Sequence, residues 1–247
     1  MTYTEKYFSH IEELLRTVLE TQQDKIRLLA EKAFDVAQEG GKLFIFGCSH
    51  ASILAQEAFY RTGGLVIANP IMAKGLTLET VPVTATTELE RKPEYALEIL
   101  DSVPIGAGDL LIIHSVSGRN GVPVEMALEA KRRGIFTAAI TNITTSSASS
   151  SRHPSGKRLF EVCDLVIDNC GCVGDAAIPI EGFRGKTAAT STVTGAAIVN
   201  AFCAEVAGLY VEHGLEPPVF MSANVDGGDE YNETMLERYK DRITYQG

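Results

Sequence analysis

GDLLIIHSVSGRNGVPVEMALEAKRRGIFTAAITN, residues 108–142, is the stretch that decides how this chain is read. Asp109 to His114 is an apolar run without alternation, as a strand covered on both faces requires. Ser115-Val116-Ser117-Gly118 follows, then Val124 to Arg133 at helical spacing, and Ile135 to Ile140 is a second apolar run closed by Thr141-Asn142. Strand, polar turn, helix and strand in this order make a βαβ unit, and such units build a parallel sheet.

Upstream, Leu43 to Phe46 is another short apolar run ended by Gly47, and Ala51 to Arg61 resumes helical spacing. Leu65 to Ala68 and Leu165 to Ile167 supply two further strands, about five in all by pattern. Apolar positions at Ile11, Leu14, Leu15, Val18 and Leu19, then Ile26, Leu29, Ala30, Phe34 and Ala37, predict two helices or one bent helix ending at Gly40-Gly41. The fold class expected is α/β, a five-stranded parallel sheet flanked by helices and preceded by N-terminal helices.

One domain is expected over residues 1–247, with a helical segment at 1–40, a core at 41–213 and a C-terminal extension at 214–247. Residues 144–158, TTSSASSSRHPSGKR, read as a loop, either a solvated linker or a lid ordered by ligand. Ser222 to Asp229 is rich in turn formers. The most apolar long segment, Val193 to Val211, contains Asn200 and Glu205, either of which is costly at the centre of a bilayer. It reads as a buried helix, and no membrane partner is expected.

The formal net charge is -10, with Lys and Arg scattered among acids, which is the opposite of a nucleic-acid footprint. A phosphorylated small molecule stays open, because helix N-termini and backbone N–H groups hold anions without net positive charge. Cysteines at 48, 163, 170, 172 and 203 lack paired metal spacing and are odd in number, so they read as reduced thiols. Met1 to His10 is polar and acidic where a signal peptide is basic and then apolar, and the cytoplasm is the expected location.

A parallel sheet sends every strand's carboxyl end to one edge, and ligands collect in the crevice there, near the point where strand order reverses. This selects Gly47-Cys48-Ser49-His50-Ala51-Ser52, Ser115-Val116-Ser117-Gly118-Arg119-Asn120, and the loop after Ile140. The second segment sets two hydroxyls, a glycine free to take positive φ and an Asn ahead of a helix, so oxygens and exposed N–H groups can converge on phosphate. It has no Walker lysine, and Gly47 begins no G-x-G-x-x-G. Read as bare local structure, Ser-x-Ser-Gly before a helix is an N-cap. A third hydroxyl cluster, Lys186 to Thr192, opens the long apolar helix that begins near Val193.

At KLFIFGCSHASILAQEAFYRTGG, at the opening stretch, and at Thr190-Ser191-Thr192 followed by GAAIVNAFCAEV, the sequence resembles the SIS (sugar isomerase) domain proteins. The resemblance covers roughly residues 35–213 through the order and spacing of three blocks. Within that family it is most similar to the phosphoheptose isomerase and N-acetylmuramic acid 6-phosphate etherase branch. The resemblance implies a three-layer, flavodoxin-like sandwich, phosphosugar binding, and a homodimer or homotetramer whose helices complete the neighbouring site. It implies phosphate contacts from Ser115, Ser117, Gly118 and Asn120, with further contacts from Ser49, Thr190, Ser191 and Thr192; Ser52, which with Ser49 flanks His50, is a candidate contact by its place in the first segment. Val116 stands where many members have Thr, and Arg119 stands where many have Asn. A guanidinium can offset the missing hydroxyl by pairing with phosphate.

Aldose–ketose isomerisation needs one group to move a proton between neighbouring carbons and another to guide the oxygen protons. Glu57 lies two helical turns after His50, so both reach the crevice if the helix begins at about Ala51. The resemblance assigns the carbon proton to Glu57; a surface or interface carboxylate is the alternative. His50 is a proton carrier, a metal ligand or a capping histidine. His213 is a secondary catalytic candidate from a neighbouring subunit, or a cation at a helix C-terminus. His114 reads as a hydrogen-bonded core histidine, and His153 as exposed. Asn224, Asp226 and Asp175 can hydrogen-bond sugar hydroxyls by residue type alone. No cofactor is expected; some phosphoheptose isomerases hold zinc, for which His50, Glu57 and Cys172 are the imaginable ligands.

The expected function is therefore phosphosugar binding with aldose–ketose isomerisation. Lyase or etherase chemistry at the same Glu is a second reading, and a sugar phosphate sensor acting through protein partners is the rival from another class.

Overall fold

The computed structural model describes residues 1–246. Tyr3–Glu39 forms one continuous helix, α1, where the sequence left one or two. Thr2 and Glu5 cap each other at its start, and Gly40, at φ 103°, ends it in the left-handed conformation that favours glycine.

Five strands follow: β1 (Leu43–Gly47), β2 (Ala68–Ile71), β3 (Leu110–His114), β4 (Phe136–Thr141) and β5 (Leu165–Asp168). All are parallel, in the order β2-β1-β3-β4-β5. The expected sheet is present. Order reverses between β1 and β3, so the crevice of a doubly wound sheet falls where the first and second hydroxyl segments emerge.

Strand pleating divides the core. Leu43 and Ile45, with Leu110 and Ile112, pack against Leu29, Ala30 and Ala33 of α1 and Ile198, Phe202 and Val206 of α7 (Ser191–Glu212). Phe44 and Phe46, with Leu111 and Ile113, pack against α4 (Tyr95–Asp101) and α5 (Gly121–Arg132) through Ile99, Leu100, Val124 and Met126. Each large side chain fully buried this way contributes about 1.5–3 kcal/mol, which makes the two apolar layers the dominant stabilising term. By length and composition α7 could cross a membrane, yet its buried residues face α1, β1 and α2 (Ile53–Glu57), and Arg27 bridges Glu205 and Glu212 along its flank.

Four local expectations change. The edge strand is Ala68–Ile71, not Leu65–Ala68, because Leu65 instead bridges Val219 and Asn69 anchors the C-terminal tail through Arg242 O and Thr244 N. The expected helix over Ala51–Arg61 breaks into a 3-10 turn, Ser49–Ser52, and the short α2, which stops at Glu57. The stretch 144–158 begins inside a helix, α6 (Ile143–Ser147), because Asn142 accepts from Thr145 N at 2.6 Å as its N-cap. His153 is buried, not exposed: its Nε2 meets Glu125 Oε2 at 2.7 Å and its Nδ1 meets Ser155 Oγ at 2.8 Å.

Elements without a sequence expectation are α3 (Thr84–Leu89), α4 itself, an antiparallel pair, β6 (Ala176–Pro179) and β7 (Lys186–Ala189), and α8 (Gly228–Arg238) in the C-terminal extension.

Candidate functional site

At the strand-order reversal, a cleft of about 320 Å³ is lined by Cys48, Ser49, His50 and Ala51 after β1 and by Ser115, Val116, Ser117 and Asn120 after β3. Glu90, Thr145, Gly174 and Asp175 complete its walls. Two separated sequence segments thus meet where the sheet topology places them.

The loop after β3 is tied back by its carbonyls. Ser115 O accepts from Thr141 Oγ1 at 2.7 Å, and Val116 O from Asn142 N at 3.0 Å. Gly118 O accepts from Leu159 N and Arg119 O from Arg152 N, both at 2.8 Å. The amides of Val116 through Gly121 have no protein acceptor among the described residues. Carbonyls tied back and N–H groups left without acceptors just ahead of α5 are the elements from which anion-binding concavities are built. Gly118, at φ +56°, lets the chain turn there, and a Cβ would stand 3.0 Å from Ser146 Oγ.

The loop after β1 is braced from behind: Ser49 N donates to Leu76 O at 2.6 Å, and the buried Ser52 hydroxyl donates to Ser49 O at 2.7 Å. Ser52 therefore shapes the loop instead of lining the cleft. Ser49 and Asp175 hold φ of 54° and 66°, a costly conformation for non-glycine residues that concentrates at functional sites.

Thr190 and Ser191 do open α7, but they grip Asp175. Its carboxylate accepts from Thr190 N at 3.0 Å, Ser191 N at 2.7 Å, Thr190 Oγ1 at 3.1 Å and Ser191 Oγ at 2.7 Å. Burial opposes the charge, yet these bonds hold Asp175 below the ordinary carboxylate range. Thr190, Ser191 and Thr192 are not among the residues that line the cleft; the first two reach it only through Asp175.

Glu57 stands outside the cleft of its own chain. It accepts from Asn200 Nδ2 at 2.8 Å and pairs with Arg61. His213 caps the far end of α7, about 30 Å along a 22-residue helix from Thr190. There its Nδ1 is 2.8 Å from Leu209 O and its ring lies against Phe34. Cys172 hydrogen-bonds to Asp175 O, so His50, Glu57 and Cys172 do not converge on a zinc site, and no cluster of three His, Cys, Asp or Glu suits a metal among the described residues. Asn224 lines a separate hollow beside Tyr60 and Arg61.

Glu90 is the titratable residue that sequence reasoning missed. It closes α3, its backbone carbonyl accepts from Val122 N at 2.9 Å, and it lines the cleft together with Asn120. Burial raises its pKa above the ordinary carboxylate value, against the opposing pull of Asn120, Arg152 and Arg91. Beneath the cleft, burial lowers His114 to about 4, so it is neutral when its Nδ1 meets Ala51 O at 3.1 Å. That matches the expected core role.

The SIS domain family model matches residues 6–142, which include the first two cleft loops and Glu90. The chain belongs to the SIS domain family. A UPF0309 protein of Shouchella clausii is 45% identical over 99% of this SIS protein and 100% of its own length. A phosphoheptose isomerase of Neisseria gonorrhoeae shares the fold at a TM-score of 0.55 and 16% identity, over 84% of this chain and all of its own. The Vibrio vulnificus NanR protein complexed with ManNAc-6P matches at a TM-score of 0.52 and 16% identity, over 96% of this chain and 70% of its own. The expected three-layer architecture of an SIS domain is thus present along with its family match.

Proposed function

We propose that this SIS protein binds a phosphorylated sugar at the carboxyl edge of its sheet and interconverts aldose and ketose forms. The amides of Val116 through Gly121 are the observation that carries the reading: six donors without protein acceptors, at the start of a helix, suit a dianion. Thr145 Oγ1 and Arg119 Nε are buried without partners beside that loop and supply further donors to phosphate oxygens. The Neisseria gonorrhoeae isomerase and the ManNAc-6P complex of NanR share this fold, which is in keeping with a phosphosugar ligand.

Glu90 is the proton carrier in this reading. Its carboxylate takes the proton from the carbon beside the carbonyl, leaving an enediolate, and returns it to the neighbouring carbon once the hydroxyl proton has passed from one oxygen to the other. Its raised pKa brings it closer to neutrality, where a general base is both ionised and strong enough to act. His50, at the exposed rim, is placed to move the oxygen protons. Glu57 and His213 lie outside their own chain's cleft, so any part they take is played at a neighbouring copy's site.

The test is solvent deuterium exchange, followed by NMR, across hexose, heptose and amino-sugar phosphates. Exchange with one of them, lost by about 10²–10⁴-fold in Glu90→Gln while thermal stabilisation by the ligand persists, supports the reading. A ligand that stabilises the protein with no exchange makes it a sensor. Release of a substituent beside the carbonyl makes it a lyase or etherase.

A further inference from the structure

The family match ends at residue 142 and the cleft draws on nothing beyond Asp175, so the C-terminal extension has no part in the site described so far. It is nevertheless bolted down at the opposite edge of the sheet. The buried Asn69 side chain of β2 donates to Arg242 O at 2.9 Å and accepts from Thr244 N at 2.7 Å, and Arg238 Nη1 pairs with Glu216 Oε2 at 2.6 Å.

Between this extension and the C-terminal ends of α1 and α7 lies a hollow of about 340 Å³. It opens beside Leu43 and Ile67, at the amino ends of β1 and β2, so the length of β1, about 16 Å, separates it from the cleft. Ala33, Val36, Leu43 and Ile67, all buried, make its floor apolar. Its rim is charged: Lys42, Arg238 and Arg242 stand against Glu216 alone. Glu216 is committed to Arg238, and neither Lys42 nor Arg242 has a carboxylate within salt-bridge distance among the described residues. Arg242 is held in place by donating from Nη1 to Gly41 O at 3.3 Å. In a chain of net charge -10, two unneutralised cations over an apolar floor select for an anion. The size and the mixture of an apolar lining with a few placed polar groups are those of small-molecule sites.

Tyr210 is a second, independent observation. Its ring is set edge-on against Phe34, with centroids 5.1 Å apart, and the residue is only 2% exposed. The structure nevertheless pairs its hydroxyl with no hydrogen-bond partner among the described residues, and Tyr210 lines the hollow. Burial pushes this phenol up against the pull of Arg242, so it stays protonated and offers a donor. Buried tyrosine hydroxyls are as a rule hydrogen-bonded, and a carboxylate oxygen supplies the acceptor that this one lacks.

We propose that this hollow is a second ligand site, which takes a small organic anion: a carboxylate held by Arg242 and the Tyr210 hydroxyl, on an apolar or aromatic body that covers the floor of Leu43 and Ile67. Phosphate, with no apolar part, suits the cleft amides instead, so the two edges of the sheet differ in ligand chemistry.

The probe is phenylacetate, followed by ¹⁵N–¹H NMR, with acetate as the anion without a body and 2-phenylethanol as the body without a charge. Saturable shifts of the Val36, Leu43, Ile67, Leu215 and Tyr239 amides, at a dissociation constant of about 1 mM or tighter, are expected for phenylacetate, and binding about tenfold weaker or worse for the two partial probes. Arg242→Met should weaken phenylacetate by about tenfold, and Tyr210→Phe, which keeps the ring and removes the hydroxyl, by about threefold to tenfold. Should Arg242→Met fail to fold, Tyr210→Phe decides alone. Absence of saturation, equal binding of 2-phenylethanol, full affinity in Tyr210→Phe, or a phenylacetate response confined to residues 116–121 overturns the proposal. Phosphate binding is read separately at residues 116–121, so failure at this hollow leaves the sugar phosphate reading standing, and failure of that reading leaves this one.

Discussion

Gly121 lies so close to Arg91 that a Cβ at Gly121 would stand 2.6 Å from the Arg91 carbonyl oxygen. This contact seats the turn carrying Glu90 against the start of α5 and the loop after β3. Gly121→Ala should push that turn outward and lower proton exchange by tenfold or more, about 1.4 kcal/mol in the barrier, with the ligand-induced thermal shift reduced much less. Exchange kinetics beside thermal shift checks it.

Gly118→Ala meets both a left-handed φ and the Ser146 hydroxyl at 3.0 Å. A loss of about 1 kcal/mol or more in urea unfolding is expected, together with loss of phosphate binding.

Glu90 should trade stability for reactivity. Its folded pKa is raised, so its contribution to stability is fully present below the unfolded value near 4.5 and is lost as pH rises through the folded value. Glu90→Gln should therefore be more stable than the parent at pH 7 and lose that advantage near pH 4, measured by urea titration across pH.

His114 has the opposite dependence. Its pKa is lowered from 6.5 to about 4 by burial, so the unfolded chain binds the extra proton in that window, and stability falls as pH drops from 6.5 to 4. The slope removed by His114→Gln should integrate to on the order of 3 kcal/mol, at about 1.4 kcal/mol per pH unit.

Asp175 caps α7 as an ion, and its lowered pKa means that its stabilisation is present above about pH 4 and lost as pH falls through the folded value. Asp175→Asn should cost about 1 kcal/mol at pH 7 and nothing near pH 2, by the same titrations.

Much of this was readable in the sequence where one local rule acted alone. β1, β3, β4 and β5 are predominantly apolar runs without alternation because both faces are covered, and the loops after β1 and β3 had to share an edge once the sheet was parallel. β2 escaped because Asn69 and Pro70 spoil its propensity; an edge strand tolerates both, and Asn69 is needed to hold Thr244. Glu90 escaped because a turn between two short helices delivers it, with no strand end or glycine motif to mark it. Asp175 and His153 were visible as residue types, but their partners Ser191 and Glu125 lie 16 and 28 positions away, and only the fold pairs them.

The account depends most on the amides of residues 116–121, which have no protein acceptor among the described residues. The direct measurement is an ¹⁵N–¹H titration with inorganic phosphate and with a hexose 6-phosphate. Saturable shifts of the Val116, Ser117, Gly118, Arg119, Asn120 and Gly121 amides, abolished in Gly118→Ala, are the expected result. Saturable binding that leaves those six amides unmoved would contradict it.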